Sequence, residues 1–244
     1  MRSLILTDLH ANWEALEAVL SEAAGSYDQI LCCGDVVGYG ADPNRVTDWV
    51  RENVAAVIRG NHDRACAGTE DLEWFNPVAR MAAEWTLSEL TPGNLQFIRD
   101  LRAGPLAVSG LTLVHGSPAD EDEYVITLHD AGQLVKYLTT PLTFFGHTHL
   151  QGGFQFIGDK VRALLKAPAA LATFELEPDT WYMVNPGSVG QPRDGDPTAA
   201  WALYDDAARL VTYRRTPYDI AKAQRKIEAA GLPPVLALRL GRGE

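Results

Sequence analysis

Residues 2–24, RSLILTDLHANWEALEAVLSEAA, contain one strand-like run followed directly by one helix-like run. The first run, RSLILT, is short and mostly apolar, which is typical of a strand buried inside a sheet. The second has apolar residues at helical spacing from Trp13 to Leu20, and Asn12 precedes it as a capping residue. This order predicts a β-strand and then an α-helix at the start of the chain.

The same alternation continues through the first half of the sequence. The run DQILCC precedes a helical pattern, DPNRVTDWVREN, with Asp42 as its expected cap and Pro43 in its first turn. AAVIR is predicted to be a third strand, and two more helices are predicted where Asn76 and Thr91 each precede a proline. Alternating strands and helices favour parallel strands joined by crossover helices.

The second half of the chain is dominated by short β-like runs joined by turn residues. These runs extend from LAVSGLTLVH to ARLVTYRR, and the helical pattern DIAKAQRKIEAAG follows them, ending at Gly231. No linker or repeat divides the sequence, so residues 1–244 are predicted to form a single domain. We therefore expect an α/β protein with two sheets packed face to face and helices outside them.

Composition limits the classes of function. The 244 residues are 46% hydrophobic and carry a net charge of −11, which fits a compact protein and disfavours binding to extended nucleic acid. The first apolar run is too short for a signal peptide or a membrane span, so we expect a cytoplasmic protein without a membrane partner. Three cysteines cannot form a disulfide framework. The oligomeric state is left open.

Polar residues suited to metal binding follow five of the strand-like runs. They are Asp8 and His10, then Asp35, then Asn61, His62 and Asp63, then His115, and finally His147 and His149. In α/β sheets the loops at the carboxyl ends of strands converge, so we expect these side chains in one crevice. Asp8 and His10 are two positions apart, and an extended backbone would turn both the same way. His147 and His149 have the same spacing.

This mixture of carboxylate, imidazole and amide groups, without thiolate, suits Mn, Fe, Zn, Co or Ni. About seven ligands exceed what one tetrahedral ion takes, so two metal ions are more natural than one. Asp35 is the expected bridge, because a carboxylate has two oxygens. A single H-x-H pair more often only ends a strand, but five clusters at equivalent positions favour metal binding.

The same motifs resemble those of the calcineurin-like metallophosphoesterase superfamily. Its pattern of D-x-H, G-D, G-N-H-D, a lone His and G-H-x-H occurs in order as DLH, GDVVG, GNHD, VHG and GHTH, and NPGSVGQPR is similar to its small bacterial phosphodiesterases. The resemblance implies a four-layer sandwich of two face-to-face mixed β-sheets flanked by helices. It also implies two ligand sets that share one residue: Asp8, His10, Asp35 and His149, and Asp35, Asn61, His115 and His147.

His62 and Asp63 lie outside both implied ligand sets and are the candidate catalytic residues. His62 is placed to protonate the leaving oxygen or stabilise its charge, and Asp63 to orient the ring and keep it cationic. A structural role for His62 beside the ligands is the alternative. Asn61, Arg59 and Arg193 are candidates for substrate binding, although surface or salt-bridged positions would explain both arginines equally well.

The sequence also departs from the superfamily at one motif. Gly38 stands where many relatives have the last aspartate of G-D-x-x-D, and Tyr39 follows where Ser/Thr phosphatases have an arginine. This departure disfavours a protein phosphatase. Trp74 and Phe75 are candidates either for a cap that stacks a base or aryl group, or for packing at the start of a helix.

Together these residues predict a dinuclear metal-dependent phosphoesterase that hydrolyses small phosphate diesters or nucleotides through a metal-activated hydroxide. Manganese is the first expectation for the two divalent ions, with Fe, Zn, Co and Ni as alternatives. A phosphomonoesterase, a protein phosphatase, or a protein-binding scaffold of the same fold are the alternative functions. A scaffold would be expected to have lost ligands, and this chain retains all of them.

Overall fold

The computed structural model describes residues 1–164 and 171–244, and within them the chain forms twelve strands and eight α-helices. The strands are β1 (Arg2–Leu6), β2 (Gln29–Cys32), β3 (Ala56–Val57), β4 (Leu106–Val108), β5 (Leu111–Leu113), β6 (Leu142–Phe144), β7 (Gly152–Ile157), β8 (Lys160–Ala163), β9 (Leu171–Glu175), β10 (Trp181–Asn185), β11 (Ala199–Asp205) and β12 (Leu210–Thr216). The helices are α1 (Trp13–Ala23), α2 (Pro43–Asn53), α3 (Asn61–Cys66), α4 (Pro77–Glu89), α5 (Pro92–Asp100), α6 (Leu128–Leu134), α7 (Ile220–Ala229) and α8 (Pro234–Leu240).

The strands form two mixed sheets of six strands each. The strand order is β3-β2-β1-β11-β12-β9 in the first sheet and β4-β5-β6-β10-β7-β8 in the second. Strands β1, β2 and β3 are parallel to one another, as are β5, β6 and β10. The carboxyl ends of β1 and β2 therefore lie at one edge of the first sheet, and those of β5 and β6 lie at one edge of the second.

The apolar side chains divide the molecule into four layers. Leu4 and Leu6 of β1 pack with residues of α1, α2 and α5, whereas Ile5 packs in the core between the two sheets. On the second sheet Phe144 belongs to that same central core, while the adjacent Phe145 packs with α6. Successive residues of a strand point to opposite faces, so each sheet has helices on its outer side. The predicted four-layer α/β sandwich is confirmed.

Local capping signals explain where several helices begin. The side chain of Asn12 accepts a hydrogen bond from the backbone of α1, and Asn76 and Thr91 do the same for α4 and α5. Asp42 lies at the expected position before α2, but its side chain makes no capping bond. Its carboxylate instead accepts a hydrogen bond from Nζ of Lys226 at 2.7 Å.

Three short helices lie outside the sequence predictions. Helix α3 has six residues, and α6 and α8 have seven each, so none contains enough turns for a clear apolar period. The predicted third strand is also shorter than AAVIR, because only Ala56 and Val57 pair with β2. No helix among the described residues is long and apolar enough to cross a membrane.

Candidate metal centre and adjoining cleft

The expected ligands lie together where strands of both sheets end. Asp8 and His10 follow β1, Asp35 follows β2, His115 follows β5, and His147 and His149 follow β6. All six side chains are buried, and the half-buried Asn61 begins α3 beside them. The strand order therefore brings these residues into one crevice, as the sequence predicts.

The backbone at these positions is not extended, contrary to the argument from two-residue spacing. The φ angle is 52° at Asp8, 46° at His10, 65° at His147 and 60° at His149, which places all four in the left-handed region. Turns beyond the strand ends, rather than the alternation of side chains along a strand, therefore orient these side chains toward one another. Gly146 lets the loops of the two sheets meet, since a Cβ there would lie 2.8 Å from Oδ2 of Asp8.

Two groups of side chains could each hold a metal ion. The first comprises Asp8, His10, Asp35 and His149, and the second comprises Asp35, His115 and His147; the candidate ligand atoms of each group lie within 4.8 Å of one another. Oδ2 of Asp35 lies 3.6 Å from Nε2 of His10 and 3.4 Å from Nε2 of His115, so it faces both groups. Among the described residues this buried oxygen has no hydrogen-bond partner.

Asn61 lies at the edge of the second group. Its Oδ1 is 3.1 Å from Nε2 of His115, which puts the amide oxygen within reach of the same ion. The preceding Gly60 makes this approach possible, because a Cβ there would lie 2.1 Å from Oδ1 of Asp35. Any larger residue at this position of the G-N-H-D motif would therefore clash with the carboxylate of Asp35.

Backbone carbonyl groups set the tautomers of three histidines. Nδ1 contacts a carbonyl oxygen in each: that of Val37 for His10 (3.2 Å), Cys33 for His115 (2.9 Å) and Gln191 for His149 (2.5 Å). A carbonyl can only accept, so we assign Nδ1 as the donor, which leaves the lone pair of the neutral ring on Nε2. Nε2 of His10 and Nε2 of His149 lie 3.1 Å apart. Two lone pairs at this distance repel each other unless a cation lies beside both, so the donor set fits a metal ion.

His147 is oriented the other way round. Its Nε2 lies 3.1 Å from the carbonyl oxygen of Asp122, which leaves Nδ1 to carry the lone pair. The ring of Tyr124 packs against the same imidazole, with ring centres 4.0 Å apart. Asp122 and Tyr124 therefore position a candidate ligand, although neither residue belongs to one of the family motifs.

Burial and mutual attraction shift the pKa values of the cluster in opposite directions. Burial raises the pKa of Asp8 to about 6, and it lowers the pKa of His10 and of His149 well below the ordinary value. Burial also opposes charge on Asp35 and His115, but their attraction outweighs it. The pKa of Asp35 is held well below its usual range, and that of His115 is raised to about 10. A metal ion bound by His115 would therefore replace a proton.

Comparison with known proteins agrees with the fold and with the motifs. Residues 1–207 match the model of the calcineurin-like phosphoesterase superfamily domain. An uncharacterized protein of Methanocaldococcus jannaschii is 33% identical over 253 residues, which cover 98% of this chain and 97% of the relative. The crystal structure of a metallophosphoesterase from Sphaerobacter thermophilus is 39% identical and has a TM-score of 0.87, covering 100% of this chain and 99% of that chain. This chain belongs to the calcineurin-like phosphoesterase superfamily.

The resemblance drawn from DLH, GDVVG, GNHD, VHG and GHTH is thereby confirmed, and the protein is a phosphoric ester hydrolase by family. The family uses divalent metals, and this phosphoesterase has residues that could hold them. A hypothetical protein from Pyrococcus horikoshii OT3 has the same fold at 18% identity, with a TM-score of 0.79 over 100% of this chain and 98% of that one.

His62 of this phosphoesterase lies beside the cluster, but Asp63 does not orient it. The carboxylate of Asp63 accepts hydrogen bonds from the backbone N–H groups of Gly60 (2.9 Å), Val36 (2.9 Å) and Val37 (3.1 Å). Nδ1 of His62 is buried and has no hydrogen-bond partner among the described residues. Burial lowers the pKa of His62 to about 4, so the ring is neutral near neutral pH. Asp63 therefore joins two loops that carry candidate ligands instead of orienting the His62 ring, and the leaving-group role of His62 stays a prediction.

The two arginines expected to bind substrate occupy different environments. Arg59 donates two hydrogen bonds to the carboxylate of Glu121, at 3.1 and 2.8 Å. For Arg59 the structure therefore shows the salt-bridged position that was the alternative to substrate binding. The guanidinium carbon of Arg193 lies 5.7 Å from the ring centre of Tyr39. Besides burial, the charge of Arg193 contributes to the low pKa of His62. Arg193 is therefore within electrostatic reach of the cluster.

An open cleft of about 260 Å³ adjoins the candidate metal centre. The residues of its lining that matter here are Tyr39, Asn61, His62, Arg64, Phe75 and Tyr124. Phe75 thus lies at the cleft, while the side chain of Trp74 falls outside the part of the chain that the structure describes. Arg64 and Tyr124 could not be predicted from the sequence, because their partners are distant along the chain and they belong to no local motif.

Proposed function

We propose that this protein is a dinuclear metal-dependent phosphoesterase that hydrolyses small phosphate esters, with diesters preferred. Oδ2 of Asp35 is the observation that carries the proposal. It is buried, lacks a hydrogen-bond partner among the described residues, and faces imidazole nitrogens of two groups. A buried carboxylate oxygen normally has a partner, and a cation held by each of the two groups would supply one to this oxygen.

The first ion would be held by Asp8, His10, Asp35 and His149, and the second by Asp35, Asn61, His115 and His147. Nitrogen and oxygen ligands without thiolate suit Mn²⁺, with Fe, Zn, Co and Ni as alternatives. Two divalent ions, when bound, would supply an activated water and offset the negative charge of the phosphate oxygens. The carbonyl groups that hold the imidazole rings keep the ligand nitrogens aimed before any ion binds.

The chain's own residues would bind and orient the ester. Arg193, whose guanidinium group donates a hydrogen bond to Oε1 of Gln191 at 3.0 Å, would contact a phosphate oxygen. His62 is neutral, so its role would be to donate a hydrogen bond to the departing oxygen rather than to act as a cationic acid. Asn61 lines the cleft beside His62 and would contact a phosphate oxygen as well as the second ion.

The preference for diesters follows from the small number of free cationic side chains. A phosphate monoester carries more negative charge than a diester, and it benefits more from arginine clamps. Arg59 is paired with Glu121, and Tyr39 stands where Ser/Thr phosphatases have an arginine. The net charge of −11 also disfavours large anionic partners.

The first experiment measures bound metal. We expect wild-type protein loaded with Mn²⁺ to hold two ions per chain, Asp8→Asn to lose mainly one, and Asp35→Asn to lose both, because it replaces the charged bridge by a neutral group. Elemental analysis after removal of free metal gives the ratio. Asp159→Asn, a change at an exposed turn residue, is the control and should bind like wild type. A single ion in the wild type would contradict the dinuclear proposal.

The second part of this experiment measures activity with each metal. Rates on a bis-aryl phosphate, a cyclic nucleotide, a mononucleotide and a phosphopeptide are compared at fixed salt, and we expect the diesters to be hydrolysed fastest. A phosphopeptide turned over fastest would contradict the diester preference. Failure to hydrolyse any ester with any metal would favour the scaffold alternative.

A further inference from the structure

The cleft beside the candidate metal centre is walled by aromatic rings. Tyr39 and Phe75 pack against His62, with ring centres 4.3 and 5.7 Å from that of the imidazole. Tyr124 packs against His147 at 4.0 Å, and 51% of its surface is exposed. A half-exposed ring held against a buried imidazole offers a stacking surface for a planar group.

The size of the cleft suits one small group. Its volume of about 260 Å³ lies just below the range of about 300–1,000 Å³ found for pockets that take drug-sized ligands. Asn61, His62 and His147 line the cleft and also belong to, or adjoin, the metal centre. A group attached to a phosphate at that centre would therefore enter the cleft directly.

Among the described residues that line the cleft, no lysine or arginine is left unpaired to meet a second phosphate. Arg64, on the cleft wall, pairs with Glu70 at 3.1 Å, with Asp122 at 2.7 Å, and with Glu121. Arg59 pairs with Glu121 at 2.8 Å. Three carboxylates thus face two guanidinium groups, so this charged cluster is net negative. A leaving group that carries its own phosphate would be repelled here.

From these observations we infer that the cleft is the subsite for the leaving group, and that it takes an uncharged planar group such as a nucleoside or an aryl ring. The inference rests on the proposed function, because it assigns one half of the ester to the cleft. In the hydrolysis the water oxygen bonds to phosphorus, the bond from phosphorus to the leaving oxygen breaks, and a proton goes to that oxygen. The product in the cleft is then a neutral alcohol or phenol.

Binding to metal-free protein tests the subsite without any catalysis. Calorimetry with adenosine and with unsubstituted phenol, both uncharged near neutral pH, would compare the wild type with Tyr124→Ala and Tyr124→Phe. We expect Tyr124→Ala to weaken binding about 5- to 100-fold, the range for loss of one stacked ring, and Tyr124→Phe to bind nearly as well as wild type. Tyr137→Ala, which removes an exposed tyrosine outside the cleft, is the control and should bind like wild type. Absence of binding by the wild type, or unchanged binding by Tyr124→Ala, would overturn the inference.

The net negative charge of the cluster around Arg64 is tested with a charged nucleotide. We expect metal-free wild type to bind adenosine at least about tenfold more tightly than adenosine diphosphate, and Glu70→Gln to narrow that ratio. Glu84→Gln, which alters an exposed ion pair on α4, is the control and should leave the ratio unchanged. Tighter binding of the diphosphate by the wild type would refute the exclusion of charged leaving groups.

The two proposals can fail separately. If the metal-loaded protein hydrolyses no ester while Tyr124→Ala still weakens adenosine binding, the proposed function is wrong, and the cleft binds a planar group without being a leaving-group subsite. If esters are hydrolysed but Tyr124→Ala changes neither the rate nor the binding, the function stands and the subsite is wrong.

Discussion

Gly38 occupies a position at which a side chain would meet His62. Its φ angle is 94°, and a Cβ there would lie 2.9 Å from Nδ1 of His62. The ring of Tyr39, the next residue, packs against the same imidazole with ring centres 4.3 Å apart. Gly38, in place of the aspartate of G-D-x-x-D, therefore leaves the space that the imidazole of His62 occupies beside the cleft.

We expect Gly38→Asp to slow turnover by about 100-fold, because the added side chain would displace His62, the proposed hydrogen-bond donor to the departing oxygen. The strained φ should also lower the free energy of unfolding by about 1–3 kcal/mol. Bound metal should stay at the wild-type level, since residue 38 is not a ligand. Turnover of a diester, elemental analysis and urea denaturation give the three quantities.

Gly25→Asp is the matched control for that variant. Gly25 has a φ of 75°, and a Cβ there would meet no atom within 4 Å, so the substitution carries similar strain without touching the site. We expect a comparable loss of stability and unchanged turnover. Wild-type turnover in Gly38→Asp as well would show that the position of His62 does not limit the reaction.

At the scale of elements, Lys226 of α7 forms ion pairs at the starts of two other helices. Nζ of Lys226 lies 2.7 Å from Glu14 in the first turn of α1 and 2.7 Å from Asp42 directly before α2. Lys222 lies 3.2 Å from Glu14. Helices α1 and α2 each follow a loop that carries candidate ligands. These ion pairs therefore support the ligand loops from the outer layer.

The loss of stability caused by removing the Lys226 ion pairs should depend on pH. Burial acts to raise the pKa of Glu14, but Lys226 and Lys222 outweigh it, so that pKa lies below its ordinary value of 4.5. A carboxyl group with a lowered pKa adds stability above its unfolded-state pKa, and that contribution is lost as pH falls through its folded-state pKa. We expect Lys226→Met to reduce the free energy of unfolding near neutral pH by about 1–3 kcal/mol, and the difference from wild type to shrink below about pH 4.

Urea denaturation between neutral pH and about pH 3 measures this difference. Arg80→Met is the control: it breaks an exposed pair with Glu84 and should reduce stability by less than about 1 kcal/mol. An equal loss from Lys226→Met at both ends of the pH range would show that packing, rather than charge, explains the effect.

Elements with local signals can be predicted from the sequence, and those without them cannot. Asn12, Asn76 and Thr91 mark helix starts because a capping bond forms within a few residues. Helix α6 begins with a capping box of Thr127 and Asp130, but its seven residues are too few to establish an apolar period.

The candidate ligands could be located from the sequence because ordered motifs mark them, whereas the charged cluster at the cleft could not. Arg64 pairs with Glu121 and Asp122, which lie 57 and 58 positions further along the chain. Only the fold brings them together. The fold likewise brings Arg59 to its partner Glu121, which is 62 positions away in the sequence.

At the scale of the whole molecule, the C-terminal helices lie beyond residues 1–207 that match the family model, yet they contact the site region. Residues of α7 and α8 form an apolar cluster with Tyr39 and with Ala79 and Ala82 of α4. The carbonyl of Gly243 accepts a hydrogen bond from Gly195, close to Arg193 in sequence, at 3.0 Å. The C-terminal segment thus supports both Tyr39 and the loop of Arg193.

A core substitution in α8 should therefore affect turnover as well as stability. Leu236 is fully buried in this cluster, so we expect Leu236→Ala to lower the free energy of unfolding by about 2–5 kcal/mol and to slow turnover, because Tyr39 loses its support. Leu176→Ala, in the core between the sheets, is the matched control. It should cost similar stability without changing turnover of the folded enzyme. Equal turnover in both variants would contradict the proposed support of Tyr39.

The left-handed backbone at Asp8, His10, Asp35, His147 and His149 has a consequence for stability. Each such residue costs on the order of 1 kcal/mol relative to glycine, which adopts these angles freely. Glycine at any of these five positions would relieve the backbone strain, but it would also remove a buried side chain together with its packing and hydrogen bonds. The proposed ligand side chains are therefore also part of the core that holds the two sheets together, so a variant that loses one is expected to lose stability along with bound metal.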